Sequence, residues 1–206
     1  MSSDFKNKRI ILASASPRRR ELLSMITNDF EIVTADVDER SAENQMAEEG
    51  VSSLEVSERL ALLKAGAVFE QLTEEEKKNS VVIGADTSVI LDDVIYGKPA
   101  DRDDAYRMLS SLSGHVHVVA TGVAIYSGSL RKSFTEETRV EFYELDEQQE
   151  SLIAEYCDSN EPYDKAGAYA IQGKGALLVK KIDGDNSNVI GLPVARLARE
   201  LTNMVK

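Results

Sequence analysis

The chain holds one cysteine, Cys157, in 206 residues. No intramolecular disulfide can form, which fits a reducing compartment and the expectation of a cytoplasmic protein. It holds only two histidines, His115 and His117, and these alternate with valines in "HVHVV" as two side chains on one strand face. A His/Cys zinc site would therefore lack ligands. No nucleophile-elbow sequence supports a Ser-His-Asp triad, and both histidines read as structural or surface residues. The start, "MSSDFKNKRI", has no apolar h-region of a signal peptide. No apolar run approaches the ~20 residues that span a bilayer. Positive charge is also scarce: 24 Lys and Arg stand against 36 Asp and Glu, a net charge of -12. That balance argues against coating DNA or RNA, where Lys and Arg contacts to phosphates dominate, and against lying on an anionic membrane. It leaves room for a small phosphorylated ligand, because only a local pocket then needs to be positive.

What is present, 42% hydrophobic and 29% charged residues, suits a globular protein with a real core. Strand-like and helix-like stretches alternate first. "RIILAS" (9–14) predicts a buried strand, Pro17 opens a helix with Leu22, Leu23 and Ile26 on its inner face, and "FEIVTADV" predicts a second strand. Residues 40–50, "RSAENQMAEEG", read as a flexible loop. A helix over 52–72 is expected to turn Leu54, Leu60, Leu63 and Val68 to the core. "SVVIGADTSVIL" reads as a buried strand interrupted at Gly84 by a bulge or a close backbone approach. A loop then leads to a helix near Asp101, and "HVHVVATGVAIY" and "KSFTEETRVEFYEL" predict long neighbouring antiparallel strands. A helix, a strand and a helix beginning at Pro193 close the chain. The order predicts an α/β fold: a single domain over 1–206, with a central twisted mixed sheet flanked by helices and a cleft at the strand ends.

Four places carry chemistry. In "LASASPRRREL" three arginines, Arg18, Arg19 and Arg20, occupy the first turn of a helix, where the helix dipole favours anions. A charge run is ordinarily a solvated face, but a phosphate would satisfy both the helix amides and the guanidinium forks. In "VIGADTSVI", Asp86 and Thr87 interrupt an apolar strand, and a buried carboxylate needs a cation, a metal or several donors. Such a carboxylate serves as metal ligand, general base or both. Glu39 in "TADVDER" offers a second carboxylate, with Asp36 and Asp38 as competitors. The third place is "GKP", a simple turn that fixes Lys98; Lys64 in "LALLKAGAV" either snorkels or points into a cleft. The fourth is "EPYDKAGAYAIQGKG" (161–175), a loop punctuated by glycines that carries Asp164, Lys165 and Gln172. It is neither a Walker A nor a GxGxxG sequence. Gln172 offers the donor and acceptor needed to read a base edge. Together Arg18, Arg19, Lys64, Lys98 and Lys165 with Asp86 and Glu39 describe a cationic pocket with a metal site.

"LASASPRRRELL", "VIGADTSVILDD", "YGKP", "LSGHVH" and "EPYDKAGAYAIQGKGALLVKKIDGD" followed by "VIGLP" resemble, in this order, the Maf family of nucleoside triphosphate pyrophosphatases, historically linked to septum formation. The resemblance runs from about Ile10 into the last helix. It implies cleavage of a nucleoside triphosphate to the monophosphate and pyrophosphate. "SPRR", "GADT" and "AYAIQG" resemble the branch acting on dTTP and UTP rather than the branch acting on methylated GTP. By that likeness Arg18, Thr87 and Gln172 are specificity positions and Asp86 is the proton acceptor. Glu39 and Asp86 are implied as ligands of Mg²⁺ or Mn²⁺, and Arg18, Arg19, Lys64, Lys98 and Lys165 as phosphate contacts. Ser14 is implied as a nucleotide contact. A homodimer is an assembly the sequence leaves open. Two rivals stand beside this reading: a phosphatase or house-cleaning hydrolase of non-canonical purine nucleotides, and a nucleotide-binding division regulator with little turnover.

Overall fold

A computed structural model describes residues 8–204. The apolar run behind Arg9 forms β1 (Arg9–Leu12), with Ile10, Ile11 and Leu12 buried. It pairs in parallel with β2 (Glu31–Ile32) on one side and with the start of β3 (Ser80–Leu91) on the other, Ile11 standing opposite both Glu31 and Val82. Parallel neighbours need crossover connections. Helix α1 (Pro17–Ser24) makes the first, and α2 (Glu39–Glu48), α3 (Ser53–Glu70) and α4 (Glu74–Asn79) lie in the second. The sheet order is β2-β1-β3-β5-β6-β7, with β4 on β3, a mixed α/β sheet of seven strands. The remaining strands are β4 (Val94–Tyr96), β5 (Val116–Ser127), β6 (Leu130–Phe142) and β7 (Val179–Asp183).

The chain divides into two compact units. The first takes the described residues of Met1–Asp86 with Thr121–Glu136 and of Gly191–Lys206; the second is Thr87–Ala120 with Glu137–Ile190. In the first, Ile11, Ala13 and Val82 pack with Ala61, Ala65, Val68 and Phe69 of α3. Helix α8 (Val194–Asn203), with Pro193 at its cap, also belongs to this unit. In the second, β3 turns at Asp92 and Asp93, both at positive φ (51° and 61°), and returns antiparallel as β4. That pair of left-handed residues matches the twist of a two-residue hairpin. Helices α5 (Arg102–Leu112), N-capped by Asp101, and α6 (Glu147–Cys157) bury Leu109, Leu112, Ile153 and Tyr156 around Phe142 and Val89. Strand β7 pairs antiparallel with β6, and the short helix α7 (Asn186–Ile190) follows it.

Four local expectations are corrected. Residues 40–50 are not a loop: the Asp38 side chain accepts from the Ser41 amide at 3.0 Å and caps α2. The helix buries only Met46, so it leaves no apolar periodicity to read. The second strand is two residues long, because β1 ends at Leu12, whose carbonyl accepts the last bond from the Val33 amide. On α3, Leu60 and Val68 are buried as expected, but Leu54 is half-buried and Leu63 is 44% exposed. The face that meets the sheet is instead small: Ser57, Ala61 and Ala65. The reason lies in the strands beneath. β3 runs through Gly84 as one strand, and of the two readings offered there the close backbone approach holds: a Cβ would fall 2.4 Å from the Ala61 carbonyl oxygen and 2.7 Å from the Ala65 amide nitrogen. At Gly122 of β5 a Cβ would meet the Glu58 amide nitrogen at 2.2 Å. Helix and sheet backbones touch, and large side chains have no room between them.

Candidate active site

The three arginines divide. Ser16 caps α1, its Oγ accepting from the Arg19 amide, and Pro17 sets the first helical φ. The first turn contains no acidic residue, so the exposed amides and the guanidinium groups remain an anion-attracting end. Arg19 is fixed: Nε donates to the Gly191 carbonyl at 2.9 Å and Nη1 to the Ser14 hydroxyl at 3.3 Å. Ser14 itself is buried just past the end of β1. Burial holds the Arg19 pKa below the ordinary value, the negative charges of Asp86 and Glu39 oppose that shift, and Arg18 adds to it. Arg18 is half-buried. Arg20 is exposed and lines a separate cleft of about 520 Å³ with Glu21, Ser24, Asn28, Phe30 and Ile32.

Lys64 does not snorkel. Its Nζ lies 2.6 Å from Asp86 Oδ1 and 3.0 Å from Glu39 Oε1. Lys64 is 8% exposed and Asp86 9%, so this pair is only weakly screened by water. The Glu39 side chain is about half exposed (48%) and reaches the ammonium from the first residue of α2. The three nearby acids have different partners: Asp38 caps α2, Glu39 pairs with Lys64, and Asp36 is exposed. Among the described residues no three His, Cys, Asp or Glu side chains cluster as a preformed metal cage. Glu39 and Asp86 converge on the Lys64 ammonium, and their carboxylates are the hard oxygen donors that a cation such as Mg²⁺ takes. All of these side chains belong to the first unit.

The second unit positions the others. Thr87 follows Asp86 on β3 and is half-buried. Lys98 is exposed in the turn before α5. Lys165 is drawn into its own loop, Nζ donating to the Glu161 carbonyl and the Asp164 carboxylate. Gln172 is exposed at the start of the last 3-10 turn (Gly173–Leu178). The two lysine-bearing loops are joined: the Gly167 amide donates to the Gly97 carbonyl at 3.0 Å. Gly167 has φ +67° and no room for a Cβ, which would sit 2.8 Å from a Val89 methyl. Beyond it, Tyr169 Oη bonds His117 Nε2 at 2.8 Å and the Ala170 amide donates to Tyr156 Oη at 3.2 Å.

Of the structural or surface roles expected for the histidines, His117 takes the structural one: it is buried in the core, with its pKa pulled down to about 4 by burial. His115 lies before β5 rather than on it, and its Nδ1 stands 2.9 Å from the Ser113 carbonyl. Tyr169 and Gly191 lie inside quoted motifs, but only their tertiary partners show what they hold, and Tyr156 lies outside every motif.

The arginine-bearing start of α1 follows the end of β1, and the buried Lys64–Asp86 pair lies midway along β3. The chain belongs to the Maf family: the model described as Maf-like protein matches residues 9–204. Among curated proteins it is 47% identical over 194 residues to a dTTP/UTP pyrophosphatase of Bacillus velezensis, covering 94% of this chain and 95% of that one. It is 46% identical over 191 residues to a protein of the same name from Thermoanaerobacter sp., covering 92% and 93%. The solved Staphylococcus aureus Ham1 protein is similar at a TM-score of 0.44 and 16% identity, over 66% of this chain and 72% of that one, too distant to bear on function.

Proposed function

We propose that this chain is a nucleoside triphosphate pyrophosphatase that hydrolyses dTTP and UTP to the monophosphate and pyrophosphate. Relatives of that name align along nearly its whole length. The observation that carries the reading is the Lys64–Asp86 contact at 2.6 Å, with Glu39 on the same ammonium. The pair places the Asp86 carboxylate in a site largely closed to bulk water, where it can take a proton from an attacking water. Asp86 is the general base in this reading, and the water attacks the α-phosphorus. Arg18, Arg19 and Lys64 in the first unit, and Lys98 and Lys165 in the second, neutralise phosphate oxygens. Ser14 contacts the nucleotide, and Arg18, Thr87 and Gln172 select the base.

Glu39 and Asp86 would hold Mg²⁺ or Mn²⁺, which when bound supplies further neutralisation of phosphate charge. The cytoplasm, which holds the nucleotide pools, is the proposed location. The test is a panel of dTTP, UTP, CTP, dATP, dGTP and GTP, each scored for pyrophosphate against orthophosphate. Pyrophosphate from dTTP and UTP well above the purine nucleotides is expected; orthophosphate release, or a purine preference, would refute the assignment.

A further inference from the structure

We infer that Gly84 is a positioning residue for the proposed base: its missing side chain sets how closely α3 lies on β3, and so holds Lys64 at Asp86. The inference rests on the reading of Asp86 given above. Successive strand side chains alternate in direction, so Gly84 and Asp86 share one face of β3. α3 covers that face. Ala61 and Ala65 stand over Gly84, with backbone atoms 2.4 Å and 2.7 Å from where a Cβ would be. Lys64 is next to Ala65 in the chain, and its Nζ reaches Asp86 at 2.6 Å. The contact on Gly84 is with helix backbone, which cannot rotate away as a side-chain tip can. An added methyl must therefore push the helix outward at Lys64. The polar contacts of the pair run between the Lys64, Asp86 and Glu39 side chains, so Gly84 and the two alanines act on it through the placement of α3. Gly122 supplies the internal comparison, because its clash is as severe but falls on Ser57 and Glu58, almost two helical turns away from Lys64.

The experiment compares Gly84→Ala with Gly122→Ala, each alone and in a Lys64→Ala background. A misplacement near 1 Å in a catalytic constellation costs up to about 10²-fold, so Gly84→Ala should lower kcat for dTTP by roughly 10- to 100-fold. Gly122→Ala should lower thermal stability comparably while keeping kcat within about threefold, since it leaves the Lys64 end of α3 in place. In the Lys64→Ala background, Gly84→Ala should cost less than about threefold more, because the contact it supports is already gone. Crystals of Gly84→Ala should show Lys64 Nζ more than about 3.5 Å from Asp86 Oδ1, beyond hydrogen-bonding distance. Should Gly84→Ala not fold, Ala65→Ser adds one atom to the facing side of the same contact and is read in the same way. A folded Gly84→Ala or Ala65→Ser protein with wild-type kcat, an unchanged Nζ–Oδ1 separation, or a full loss repeated without Lys64 would overturn the inference. Failure of the wild type to release pyrophosphate would overturn the substrate reading alone, and the crystallographic separation would still decide the role of Gly84.

Discussion

Lys64 Nζ and Asp86 Oδ1, one from a helix and one from a central strand, lie 2.6 Å apart in the interior of the first unit. The pair explains how a carboxylate is kept inside an apolar strand. Asp86→Asn removes the proposed base but leaves Lys64 paired with Glu39, so the protein should fold. Turnover should fall by ~10²–10⁴, the usual cost of losing a general base. Steady-state kinetics beside circular dichroism checks this, and near-normal turnover in a folded variant would remove Asp86 from the role.

The adjacent arginines should behave differently. Arg19 donates to Gly191 and Ser14 and shares its surroundings with Asp86 and Glu39, whereas Arg20 faces another cleft. Arg19→Ala should reduce kcat/KM for every triphosphate by roughly 10- to 100-fold, the scale of one charge-assisted hydrogen bond. Arg20→Ala should stay within about twofold of wild type, as surface substitutions generally do. Equal effects of the two substitutions would contradict the division of the run.

His117 gives the fold a dependence on acid. Its folded pKa is lowered to about 4 by burial, against an ordinary value of 6.5. The unfolded chain therefore takes up the proton first, and stability falls as pH drops from about 6.5 toward 4. At pH 5 the loss from this residue should be about 2 kcal/mol. His117→Gln keeps a polar partner for Tyr169 but cannot titrate there, so its melting temperature should fall less than that of wild type between pH 7.5 and pH 5. Parallel pH–melting curves would exclude this role.

Gln172 tests base selection. Uracil and thymine present two acceptors around one N–H, and cytosine exchanges one acceptor for a donor, which leaves an amide's partner unpaired. Gln172→Ala should narrow the UTP-to-CTP ratio of kcat/KM while changing the response to pyrophosphate, as a competitive inhibitor, by less than about twofold. An unchanged ratio would assign base selection elsewhere.

The sequence made the larger framework legible because its signals are local. Apolar runs mark β1 and, despite Gly84, Asp86 and Thr87, β3, and Pro17 and Pro193 mark helix starts. What it hid depends on partners far along the chain. Helix α2 rests on one cap and one buried methionine. The exposure of Leu63 and burial of Lys64 follow from two glycines in distant strands, which bring α3 down on its small residues. The distinction between Arg19 and Arg20 depends on a carbonyl 172 positions away from Arg19. The His117–Tyr169 bond spans 52 positions and has no sequence pattern.

The most direct measurement of the central claim is hydrolysis of dTTP in ¹⁸O-labelled water, with the products separated and weighed by mass spectrometry. Attack on the α-phosphorus places the label in thymidine monophosphate and leaves pyrophosphate unlabelled, the result expected here. Label in pyrophosphate, or orthophosphate as the labelled product, would place the attack at another phosphorus and contradict the account.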